Sequence, residues 1–214
     1  MTELLNAILV VILVLNLFTL GTSRIQSAIR MVAVQGALLA LIPILIREKF
    51  SLTSVIASVV AVLLKGIVIP LIMNRSLRSA RIKREETPLI GLLPTVIIGA
   101  VITGLILIFS KMVNVPGGQT TTLIVPASFS TILVGFLLLI TRYKAISQVL
   151  GYLVMENGIF IFGMLLVEAV PLIVEMGVLL DLFVGIFVIS IITNHINRAF
   201  SSLDTRRLDS LKEE

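Results

Sequence analysis

The sequence has 214 residues, of which 57% are apolar and only 14% charged, with a mean hydropathy of +1.14 and a formal charge of +5. A soluble globule takes about a quarter of its residues from the charged types to cover its surface, so this composition excludes one. The lack of cysteine excludes disulfides, thiolate metal sites, iron–sulfur clusters and cysteine nucleophiles within this sequence, and the single histidine, His195, excludes a bis-histidine haem.

Apolar blocks long enough to cross roughly 30 Å of hydrocarbon as helix, at about 1.5 Å per residue, recur along the chain. In lipid the backbone must satisfy its own hydrogen bonds, which makes such blocks helices; a barrel would show polar alternation instead. The first block, 3–21, follows Met1-Thr2-Glu3 with no basic segment and no small-residue cleavage site, so it reads as a span rather than a cleaved signal. The second covers 25–46 and ends at Arg47-Glu48-Lys49. The third, 52–73, is closed by the charged run from Arg75 to Glu86. The fourth, 89–110, precedes the turn Pro116-Gly117-Gly118-Gln119, which has no phosphate-loop context. The fifth is 123–141 and the sixth 146–166; after a short turn around Glu168, Pro171 opens the seventh, 172–195. The expected fold is all-α and polytopic, with about seven transmembrane helices: a four-helix region over 1–115, a three-helix region over 116–200 and a tail over 201–214.

The basic residues divide unevenly between the two sides of this arrangement. One side holds Arg24, Arg30, Arg75, Arg78, Arg81, Lys83, Arg84, Arg142, Lys144, Arg198, Arg206, Arg207 and Lys212, 13 in all, against 3 on the other, Arg47, Lys49 and Lys111. Lys65 lies within a span. By the positive-inside rule the N-terminus is outside and the C-terminus cytoplasmic, in the inner membrane of a cell. Basic residues placed this way determine topology rather than form a nucleic-acid surface.

Ionisable groups near the bilayer centre cost roughly 2.5–3.5 kcal/mol each on insertion scales, so each needs a reason. Lys65 falls near the midpoint of the third span, Glu156 of the sixth and Asp181 of the seventh. Glu175 lies about six residues, roughly 9 Å, outward of Asp181 and about 120° round the same helix. Glu168 sits at the interface, and Arg30 reaches the surface by snorkelling. One reading is a relay, in which carboxylates and a lysine pass protons through intervening water. The other is that Lys65 neutralises Glu156 or Asp181 and holds the bundle together. Two acids against one base leave a carboxyl over, which favours proton handling. Glu156 has no basic partner at i±3 or i±4, so its compensation must come from another helix, from water or from protonation. His195 is explained by a helix C-terminus at the interface, Gly151, Gly158 and Gly163 by close helix packing, and the alternating charges of the tail by contact with a partner.

The last three spans resemble the K subunit of respiratory complex I. Glu156 stands mid-helix in Gly151-Tyr152-Leu153-Val154-Met155-Glu156-Asn157-Gly158, after a basic turn, like the second helix of that subunit; Asp181-Leu182-Phe183-Val184-Gly185-Ile186 is similar to its third. The tail from Arg198 through Leu203-Asp204 to Leu208-Asp209 is similar to its cytoplasmic exit. Four additional N-terminal helices make the whole chain similar to hydrogenase-4 component E, a membrane-arm subunit of group 4 nickel–iron hydrogenase complexes. Two departures stand out: the second acid is aspartate rather than glutamate, and Glu175 has no counterpart in the pattern. The resemblance implies a non-redox subunit of an ion-translocating oxidoreductase complex, with no cofactor or catalytic site of its own. It implies that Glu156, Asp181, Lys65 and Glu175 line a proton or sodium pathway. Nickel–iron and iron–sulfur centres are expected in hydrophilic partner subunits, and antiporter-like subunits as membrane neighbours. An antiporter-type transporter subunit and a structural membrane scaffold stay open beside it. Within the chain, Val62-Leu63-Leu64-Lys65 recurs as Val178-Leu179-Leu180-Asp181, and Gln35-Gly36 could answer Asn157-Gly158, as in a parallel repeat of spans 1–3 and 5–7.

Overall fold

The structure, a computed structural model, describes residues 2–46, 52–79, 89–110 and 123–164. The seventh span expected at 172–195, with Asp181, Glu175 and His195, lies outside the described residues, as do Glu168 and the tail. The described residues form α1 (Thr2–Gly21), α2 (Ile25–Ile46), α3 (Leu52–Leu63), α4 (Ile69–Ser79), α5 (Leu92–Ser110), α6 (Ile124–Thr141) and α7 (Ala145–Gly163). A wide π-turn, Leu64–Val68, joins α3 and α4 into one rod. With that rod counted once, 6 helices are long and apolar enough to cross a membrane, and the chain is an all-α multi-pass membrane protein.

The sixth span, expected to reach 166, is described as helix to Gly163, and two other boundaries differ from expectation for a local reason. The third span does not stop at 73 but continues to Ser79. Its last turns are amphipathic: Met73 and Leu77 are buried while Leu71 and Arg75 are exposed. The fourth begins at Leu92 rather than 89. Pro94 then falls in the first turn, where a missing N–H leaves no bond unmade, and the Leu89 amide is used instead on the Thr141 carbonyl at 3.0 Å.

The π-turn has a cause in the sequence. In a regular α-helix the ring of Pro70 would press on the Gly66 carbonyl and offer it no N–H. The turn opens instead, and the Ile69 amide reaches back five residues to the Leu64 carbonyl.

α1 packs on α2, α5 and α6, and α2 packs on α3, α4 and α7. α6 and α7 form the tightest pair because glycines remove the side chains between their backbones. A Cβ on Gly135 would collide with the backbone at Met155, one on Gly151 would lie 2.8 Å from the Leu139 amide, and one on Gly158 2.6 Å from that of Ile132. The apolar core is split in two. One cluster, with Leu20, Ile29, Met73, Leu138, Leu150 and Val154, lies toward the end carrying Arg24 and Arg142; the other, with Leu9, Ile12, Leu39, Ile42, Ala127 and Ile161, lies toward the opposite end. The buried polar residues Asn16, Gln35, Thr131, Glu156 and Asn157 occupy the interval that each helix leaves between the two clusters.

Candidate functional site

Lys65 and Glu156, the two intramembrane charges in the described residues, meet in that interval. Lys65 projects from the π-turn and Glu156 from the middle of α7, and Nζ lies 2.8 Å from Oε1 with both side chains less than a tenth exposed (7% and 3%). By distance this is an ion pair, at an angle that is not that of a hydrogen bond. The ammonium also donates to Oδ1 of Asn157 at 3.4 Å and stands 5.3 Å from the centroid of the Phe160 ring. Glu156 and Phe160 are four residues apart, one helical turn, so α7 offers a carboxylate and an aromatic face to one cation. Taking two ions out of water is repaid only when geometry and further contacts compensate both, and Lys65 has three such contacts here.

The stem of Lys65 lies along the backbone of α2. A Cβ on Gly36 would come within 2.9 Å of Lys65 Cβ, 3.4 Å of Cδ and 3.6 Å of Cγ, so only glycine leaves room for the lysine to cross. Beside the ammonium, Ile29, Val32, Met73, Leu150, Leu153 and Asn157 line a cleft that leads toward the basic end. Its free space, about 10 Å³, is roughly that of one water molecule.

A second polar group lies in the same interval. Gln35 Nε2 donates to Asn16 Oδ1 at 2.9 Å, Asn16 Nδ2 donates to Thr131 Oγ1 at 2.9 Å, and that hydroxyl donates to the Ala127 carbonyl at 2.7 Å. Asn16 and Thr131 carry no charge and do not stand out in the sequence, where their signal is a polar residue deep inside an apolar block. At the basic end Arg142, buried to 4% exposure, donates through Nη2 to the Leu20 carbonyl at 2.7 Å and so caps α1.

Of the residues expected to line a pathway, the structure thus brings Lys65 and Glu156 together. Between the two partners that the sequence left open for Lys65, the contact made in the described residues is with Glu156; Asp181 and Glu175 are outside them. Gln35-Gly36 and Asn157-Gly158 share the polar interval but make different contacts, and 178–181 lies outside the described residues.

Comparison with known proteins gives this geometry a setting. The chain is 35% identical over 192 residues to the uncharacterized protein Rv0085 of Mycobacterium tuberculosis, an alignment that covers 88% of the chain and 87% of the relative. The chain belongs to that protein's family. It is also similar to hydrogenase-4 component E of Escherichia coli K12 and of Shigella flexneri, at 26% identity over 152 residues, 71% of the chain and 70% of each relative. No family model matches the chain. No solved structure matches it either, and the likeness to the K subunit of complex I is not shown by these comparisons.

Proposed function

We propose that this chain is a non-redox membrane subunit of a hydrogenase complex and that Lys65 and Glu156 belong to an ion pathway coupled to electron transfer in its partners. The similarity to hydrogenase-4 component E supports the complex. The ion pair joining the π-turn to α7 supports the pathway and is the observation that carries it. A carboxylate and an ammonium 2.8 Å apart in a low-dielectric interval each depend on the other's charge, so the protonation of the pair responds to any third charge brought near them. Asp181 and Glu175 are the acids proposed to supply that charge, the ion is H⁺ or Na⁺, and the membrane is the inner membrane with the basic end cytoplasmic. Nickel–iron and iron–sulfur centres belong to hydrophilic partners, and antiporter-like subunits are the neighbours.

The test is ion translocation in proteoliposomes holding the assembled complex. Glu156→Gln keeps the shape of the side chain and removes its titration. The expected result is continued electron transfer with most of the translocation lost. Wild-type translocation by the assembled variant would leave the pair as a structural tie, the reading that its mutual neutralisation favours.

A further inference from the structure

The polar interval holds one charged group and one uncharged one, and the pathway proposed above uses only the first. The geometry points to Gln35 as a positioning residue for the Lys65–Glu156 pair, braced by Asn16 and Thr131 and acting through the backbone of α2 at Gly36. This inference rests on the reading of that pair as part of an ion pathway.

Lysine carries its charge on a flexible four-carbon stem, so the place of the ammonium depends on what the stem lies against. Here it lies against Gly36, with Cβ, Cγ and Cδ all within van der Waals reach of where a side chain there would begin. The height and rotation of α2 at this point therefore set where Nζ stands. Gln35, the preceding residue and about 100° round the helix, is bonded on a different face to Asn16 of α1, and Asn16 to Thr131 of α6. α6 is in turn seated backbone against backbone on α7 at Gly135, next to the turn that carries Glu156. The contacts close into a ring: Lys65, Gly36 and Gln35 of α2, Asn16, Thr131 and Gly135 of α6, Met155 and Glu156 of α7, and Lys65 again. Such a ring fixes the two charged ends relative to each other through three helices.

The uncharged group is a brace and not a branch of the pathway. Its donors all run one way, from the Gln35 amide to Asn16, from the Asn16 amide to Thr131, and from the Thr131 hydroxyl to a backbone carbonyl, where the chain ends. Neither amide titrates in the ordinary range, so no proton passes along it. Among the described residues, the groups facing the pair include Gly36 from α2 and Asn157 and Phe160 from α7. The other titratable groups with described side chains on these elements are Arg30 on α2, Arg75 on α4, and Lys144 and Tyr152 beside or on α7, each a turn or more away along its helix.

The experiment uses the assembled complex and reads the infrared carboxyl band identified by its loss in Glu156→Gln. Gln35→Leu and Asn16→Leu keep bulk and delete the bonds; Thr131→Val, which deletes only the hydroxyl, is the milder second variant. The expected result is a shift of the band's titration midpoint by about half a pH unit or more, roughly a threefold change in proton affinity, with the midpoint restored by the exchange Asn16→Gln with Gln35→Asn. A wild-type midpoint in Thr131→Val and in either Leu variant that assembles overturns the brace. The two proposals fail separately: normal pumping by Glu156→Gln removes the pathway and leaves the band shift readable, whereas an unmoved band removes the brace alone.

Discussion

Gly66 of the π-turn faces Ala37 of α2, and a Cβ on the glycine would lie 3.5 Å from that of the alanine. This contact fixes the wide turn, and with it Lys65, against the helix that walls its stem. The distance falls in the range that a disulfide spans between Cβ atoms, about 3.5–4.5 Å. The sequence contains no cysteine, so an introduced pair has no competitor in the chain. Ala37→Cys with Gly66→Cys is expected to cross-link on mild oxidation, read as a shift in mobility after proteolysis between the two positions. Failure to cross-link would place the π-turn elsewhere than on α2.

The same pair reports on Pro70. Replacing Pro70 by alanine restores an N–H and removes the ring that opens the turn. The turn is expected to close toward a regular α-helix, rotating Lys65 away from Glu156. Cross-linking of the two cysteines should then slow, and translocation should fall although the span remains helical. An unchanged cross-linking rate in Pro70→Ala would show that something other than the proline holds the turn open.

Glycine substitutions separate close packing from mere helicity. Alanine at Gly135 sets a Cβ into the backbone of α7, an overpacking that costs about 1–3 kcal/mol or more because neither backbone can yield alone. Gly104 on α5 has nothing within 4 Å of its Cβ position, and alanine there is expected to be neutral or stabilising by up to about 1 kcal/mol. Thermal unfolding of the purified protein in detergent distinguishes them. Equal effects at the two sites would contradict the α6–α7 contact.

Much of this fold was legible in the sequence because the bilayer imposes one rule on every span. Apolar length placed α1, α2, α6 and the start of α7 almost to the residue. What it missed was set by side chains that length does not see: the amphipathic continuation to Ser79, and the turn opened by Pro70. The site was half legible for the same reason. Lys65 and Glu156 stood out as charges where charge is costly, but which helices face each other is decided by packing, at Gly36 and Gly135, and no spacing along one chain encodes it. Asn16, Gln35 and Thr131 carry no charge, and their alignment in one interval emerges only when three helices are set side by side.

The distribution of basic residues makes a prediction about sidedness. With 13 basic residues assigned to one side and 3 to the other, fusions of a topology reporter at Ser79 and at Gly117 are expected to report opposite sides, Ser79 cytoplasmic. The same side for both would break the expected order of spans.

The ion pair itself predicts opposite pH dependences for its two halves. Removing one partner of a buried pair leaves the other charge uncompensated, at a cost of about 3–5 kcal/mol unless that group changes protonation. In Lys65→Met the group left behind is a carboxylate, and it becomes neutral by taking up a proton. The complex carrying this variant is therefore expected to gain stability as pH falls. In Glu156→Gln the group left behind is an ammonium, eased only in part by Asn157 and Phe160, and it becomes neutral by losing a proton. That variant is expected to gain stability as pH rises. The double variant strands neither charge, so its loss of stability should be smaller than the sum of the single losses and vary little with pH, as a double-mutant cycle requires of directly coupled groups. Melting temperatures of the detergent-solubilised complex, measured across the accessible pH range for wild type and the three variants, provide the check. The same slope in both single variants, or a double variant weaker than either, would show that Lys65 and Glu156 are not each other's compensation.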